Sequence, residues 1–201
     1  MSRVILSALL LVPALFGAEY AKDDRATAAE YLDGSRNSLS AILETVSQAQ
    51  SEFQGEPNSW TILQVLEHLM LAEDYLRGIL EKTINTGAPI PDTEKLPDPA
   101  EMDKAIRKGI ADRSQKAQAP RELVPQGRFA NRDEAFLEFS KRREKTVEWV
   151  RGLKTDLRRV RVQSAMGPID GHQWLLLMGA HTERHMEQIA SIMRHAGYPK
   201  Q

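Results

Sequence analysis

The tightest constraint on the fold lies near the C-terminus, where residues 172–195 read as one amphipathic helix. Trp174, Met178, His181, His185, Gln188 and Ile192 alternate steps of four and three, which puts them on one stripe facing a partner. Two imidazoles therefore occupy places where apolar side chains are expected. An inward seam holds two such rings only if their nitrogens find partners. A metal ion is the simplest shared partner for residues one helical turn apart.

The rest of the chain supplies helices for that seam to face. Residues 26–53 form a long first helix, carrying Ala29, Leu32, Leu39, Ile42, Leu43 and Val46 on its apolar side. Gly55 and Pro57 break the pattern, and Ser59 is the expected N-cap of a second helix over residues 60–85. Prolines 89, 91, 97 and 99 make residues 87–99 an extended connection. Asp98, Pro99 and Glu101 then start a shorter helix over residues 100–117, whose thin apolar stripe places it on the bundle surface. After a second irregular stretch, 119–128, Asn131 and Glu134 open another long helix with Phe136, Phe139, Val147 and Val150 on its buried side. Gly152 and the run to Gly167 and Pro168 close it. Asp170 and Gln173 cap the last helix, and Gly197 and Pro199 stop it. The expected fold class is all-α: a four-helix bundle with a short extra helix in a long proline-rich connection.

Composition narrows the function classes. The 201 residues suit one domain, and 27 basic against 28 acidic side chains leave no footprint of a nucleic-acid binder. The absence of cysteine excludes disulfides, thiolate metal sites and cysteine nucleophiles. Residues 1–21 read as a signal peptide, with Arg3 ahead of an apolar run too short to span a bilayer, so the expectation is an exported, periplasmic or secreted protein without a stable membrane span after processing. An uncleaved anchor or a cytoplasmic helix extension is the alternative. Residues 22–201 are then the mature domain.

A third metal-ligand candidate is His68, because Thr61, Val65, His68, Ala72, Tyr75 and Ile79 repeat the four and three steps of the last helix. If the two helices are neighbours, three neutral imidazoles meet and leave positions open for water or substrate. The competing reading makes each histidine a hydrogen-bonded core residue, with Glu67 and Glu73 as solvated helix charges. His172, in the first turn of its helix, is expected to be exposed or capping, and His195 to complement the helix dipole. Thr182 stands where a zinc protease motif needs glutamate, and no glutamate lies three residues before any of the five histidines, which removes the di-iron carboxylate signature. Phosphate loops and serine elbows are absent as well.

The segment SWTILQVLEHL, with Trp60 and His68, followed far downstream by HTERHMEQI, with His181, His185 and Gln188, resembles the DinB-like superfamily of metal-binding four-helix bundles. The resemblance covers nearly the whole mature chain. It implies a divalent metal, zinc or nickel, held by His68, His181 and His185, and a homodimer. Some relatives activate a low-molecular-weight thiol at such a site, as in mycothiol-dependent maleylpyruvate isomerases and bacillithiol transferases. The expected function is therefore a metal-dependent transferase or hydrolase that activates a thiol or water and acts on a small-molecule substrate the sequence does not name. The alternative is a non-catalytic bundle with a structural metal that acts in protein association. A third reading has no metal, with the histidines paired to internal carboxylates.

Overall fold

A computed structural model describes residues 22–87, 90, 98–114 and 118–200. The expected signal peptide and most of the proline-rich connection lie outside the described residues.

Four long helices build the domain: α1 (Lys22–Leu43), α3 (Ile62–Thr86), α5 (Arg132–Gly152) and α6 (Gly171–Met193). They form a ring in which α1 packs against α5 and α6, and α3 also packs against α5 and α6. α3 and α6 are therefore neighbours, the condition the three-histidine reading required. α4 (Pro99–Ala111) lies outside the ring along α6, as its thin stripe predicts, with only Ile106 fully buried. Covered by α1, α3 and α4, the first ten residues of α6 are buried on every side. Among the described residues, no helix is long and apolar enough to cross a membrane.

Local chemistry sets most helix starts. Asp98 accepts from the Ala100 N–H at 2.9 Å and Asn131 from the Glu134 N–H at 2.9 Å. Asp170 and Gln173 bond each other's backbone N–H at 2.7 and 3.0 Å, a complete capping box.

Four boundaries differ from the sequence reading. The first helix is not continuous over 26–53: α1 stops at Leu43, and Ser47 caps a single turn, α2 (Gln48–Ser51), in a box with Gln50. α3 is capped by Thr61 rather than Ser59, because Gln64 stands at the right spacing to return the bond to the Thr61 N–H at 2.9 Å. α4 ends at Ala111, where Asp112 turns to extended backbone. The run after Gly152 is not featureless. It holds a 3-10 turn, Leu157–Arg159, and an antiparallel hairpin of β1 (Arg161–Ser164) and β2 (Gly167–Asp170). Val162 and Ile169 pair across the hairpin and face the core, while Gly167 takes φ +98° to close the turn.

Apolar packing falls into two clusters. One gathers Leu32, Leu80, Val150, Leu157, Trp174 and Leu175. The other gathers Leu39, Leu66, Leu69, Ala135, Phe139 and Ile189. Between them lies Arg143 of α5, 1% exposed and, among the described residues, the largest side chain so completely buried. It donates to Leu32 O, Ser35 Oγ and Thr182 Oγ1 at 2.9, 2.8 and 3.0 Å, and it meets the Glu73 carboxylate at 2.8 Å. Glu73 is thus half of a buried ion pair and not a solvated charge.

Candidate metal centre

His68 lies on the face of α3 turned towards α6. His181 and His185 stand one turn apart on α6, so the packing of the two helices brings all three rings together. His68 Nε2 is 3.3 Å from His181 Nε2, and His185 Nε2 is 3.2 Å from the same atom. The three donor atoms all lie within 4.8 Å of one another. A metal–nitrogen bond of about 2.0–2.1 Å separates two tetrahedral ligands by about 3.3–3.4 Å, so the two separations from His181 Nε2 suit ligands of one shared ion.

The far side of two rings is fixed. His68 Nδ1 lies 2.8 Å from the Leu123 carbonyl, and His185 Nδ1 lies 2.8 Å from Gln188 Oε1. A carbonyl only accepts, so each Nδ1 carries the proton and each Nε2 turns its lone pair to the centre. This is the outer-shell arrangement that orients metal-binding imidazoles. Trp60 packs on His68 with ring centroids 4.9 Å apart.

Burial keeps the rings neutral. Desolvation lowers the His68 pKa, against the opposing pull of its bond to Leu123. Desolvation and then the neighbouring imidazoles of His185 and His68 drive His181 well below its ordinary value. His185 falls to about 3, by desolvation first and the nearby His68 second. Neutral imidazole is the form that binds a metal, so no proton need leave at neutral pH. His68 and His185 are buried and His181 is partly open. Among the described residues, no fourth histidine or carboxylate joins the group.

The other two histidines stay apart from the site, but not as the sequence suggested for His172. It is 1% exposed, not on the surface, because α4 covers the start of α6 and sets Asp103 3.7 Å from its Nε2. His195 lies beyond the end of α6, half-buried against Phe53 and 3.4 Å from Glu56. Tyr75, placed on the inward stripe of α3 by its spacing, is exposed. Glu67 is the other correction: its carboxylate is 2% exposed and accepts the backbone N–H groups of Gln126, Gly127 and Arg128. Sequence spacing gave no sign of those partners, whereas Gln188, three residues after His185 on the same stripe, was open to recognition as its support.

A bundle whose α3 and α6 converge three imidazoles defines a class of proteins with a three-histidine site. The sequence profile of the DinB superfamily matches residues 31–189, which include all three histidines, and the chain belongs to that superfamily. An uncharacterized protein of Bacillus subtilis (strain 168), YuaE, is 26% identical over 151 residues, covering 75% of this chain and 87% of the relative. No solved structure matches the chain.

Proposed function

We propose that the chain binds a divalent metal, zinc or nickel, through His68, His181 and His185 and works as a transferase or hydrolase that activates a thiol or water. The observation that carries this reading is the convergence of three Nε2 atoms, two of them held in the metal-binding tautomer by bonds at Nδ1. A divalent ion held there supplies Lewis acidity, making a thiol or water nucleophilic at neutral pH. The protein's own residues orient and shield. Leu123 and Gln188 fix the angles of His68 and His185, Trp60 covers one flank, and His181 is the one of the three that is not fully buried. A donor set of three favours a catalytic site over a closed structural one.

Elemental analysis of protein purified without added metal tests this reading, and about one ion per chain is expected. His181→Ala and His185→Ala lose it. The metal-loaded protein transfers a small thiol to an electrophile or hydrolyses an ester, and a chelator stops it. If the protein holds no stoichiometric metal, and neither zinc nor nickel raises its melting temperature, the reading is wrong.

A further inference from the structure

Glu67 and His68 are consecutive on α3 and diverge around the helix, yet both reach the segment between α4 and α5. His68 reaches the carbonyl of Leu123, which ends a single 3-10 turn, Arg121–Leu123. Glu67 reaches a few residues further along. Its Oε1 accepts the Gln126 N–H at 2.8 Å, and its Oε2 accepts the N–H groups of Gly127 and Arg128 at 2.9 and 3.1 Å. Three successive N–H groups converge on one carboxylate because Gly127 takes φ +76°, a backbone conformation that glycine allows without strain. The Gln126 side chain then donates back to the Val124 carbonyl at 3.0 Å, linking the anchored end to the turn that holds Leu123.

Among its described residues this segment has no long helix or strand of its own between α4 and α5, so its position depends on such anchors. A buried carboxylate is costly unless it is well bonded, and here it is bonded almost wholly to main chain. Arg128 adds a more distant contact, Nε to Oε1 at 3.5 Å, from a side chain that is mostly in solvent. The purpose served by a buried glutamate beside a metal ligand is therefore placement of this segment.

Resting on the metal reading above, we infer that Glu67 is a positioning residue for His68. It holds the 3-10 turn where the Leu123 carbonyl accepts the Nδ1 proton, and so keeps Nε2 free and aimed at His181 and His185. Removing the carboxylate releases the segment, and His68 loses the acceptor that fixes its tautomer and ring angle.

The test compares wild type with Glu67→Ala, Glu67→Gln and Val65→Ala. Val65 is fully buried on the same helix and makes none of the hydrogen bonds that anchor the segment, so its truncation loosens the core while leaving those bonds in place. Zinc affinity, measured in competition with a chromophoric chelator, should fall about tenfold or more in Glu67→Ala. The loss is smaller in Glu67→Gln, which keeps the volume and one acceptor oxygen, and absent in Val65→Ala at a similar loss of melting temperature. In metal-free protein, the ring nitrogen shifts of His68 report a single Nδ1–H tautomer in wild type and a mixture in Glu67→Ala. Should Glu67→Ala fail to fold, Glu67→Gln decides by the same two readings. Unchanged zinc affinity and an unchanged tautomer in the Glu67 variants overturn the inference, as does an equal loss of affinity in Val65→Ala. Wild type that takes up neither zinc nor nickel refutes the metal reading itself, and the inference falls with it. The wild-type titration alone separates that failure from the others.

Discussion

Replacing Glu73 by leucine tests how the bundle tolerates a charge at its centre. Arg143 and Glu73 are 1% and 2% exposed, and their closest N–O separation is 2.8 Å. In Glu73→Leu the guanidinium keeps its bonds to Leu32, Ser35 and Thr182 but loses its counter-charge. Removing one partner of such a buried pair costs about 3–5 kcal/mol, because the remaining charge stays out of water. For a chain of this length, about 2–4 °C of melting temperature accompany each kcal/mol, so a fall of roughly 6–20 °C is expected. Arg143→Met leaves the Glu73 carboxylate buried without its partner and should cost about as much.

The double variant decides between explanations. With both charges gone, the atoms left behind still have partners: Ser35 Oγ donates to the Leu32 carbonyl at 2.9 Å, and Thr182 Oγ1 can turn to Met178 O at 3.5 Å. Glu73→Leu with Arg143→Met should therefore recover most of the loss, to within about 1–2 kcal/mol of wild type. The assay is urea and thermal unfolding followed by circular dichroism, with chelator present so that metal binding adds nothing to the folded state. A double variant that loses the sum of the two single losses would show two independent packing sites and refute the reasoning. So would a single Glu73→Leu that costs less than about 1 kcal/mol.

Two further outcomes follow from close contacts on α6. Gly179→Ala should lower stability by about 1–2 kcal/mol despite the better helix propensity of alanine, since its Cβ would stand 2.5 Å from the Tyr31 ring. That ring is held by its hydroxyl bond to Glu183 at 2.7 Å and by Arg107 4.2 Å above it, and a melting curve above that of wild type would show that it moves freely. At the start of α6, desolvation first and Arg158 second lower the His172 pKa to about 4. The folded state prefers the neutral ring, so its contribution is present above the unfolded value near 6.5 and is lost as pH falls through about 4, up to about 3 kcal/mol. The penalty of His172→Gln should accordingly be smaller at pH 4.5 than at pH 7, and a penalty that grows on acidification would contradict the sign.

What the sequence could reveal follows from how far each interaction reaches. Asp98, Asn131 and Asp170 were legible as caps because a cap bonds its own first turn. The break after Leu43 was legible too in principle, since Ser47 and Gln50 have capping-box spacing, but the apolar pattern running on to Val46 masked it. The hairpin was not legible: each strand has four residues, Gly167 and Pro168 read as stop signals, and only their pairing makes strands of them. The stripe of α6 announced His181 and His185 because periodicity is local. The burial of Glu67, Glu73 and His172 depends on the segment before α5, on α5 itself and on α4, none of which a helical wheel of their own segment contains.

The start and the middle of α6 satisfy their polar side chains in different ways. At its start, the charged groups answer one another: Arg158 bonds Asp24 of α1 at 2.9 and 3.0 Å, Asp103 of α4 at 2.8 Å through both terminal nitrogens, and Asp170 at 3.2 Å. That cluster ties three helices with donors and acceptors both present. The three imidazoles further along are all of one kind. His68 and His185 spend their Nδ1 protons on Leu123 and Gln188, so their Nε2 atoms can only accept. His181 has a single ring proton when neutral, and even at Nε2 it cannot point fully at both neighbours. One lone pair is left without a proton in a site where protonation is opposed by desolvation and by adjacent rings. A divalent cation would accept all three lone pairs at once, whereas replacing any of the three by glutamine would add a donor the group lacks and relieve the same conflict without metal.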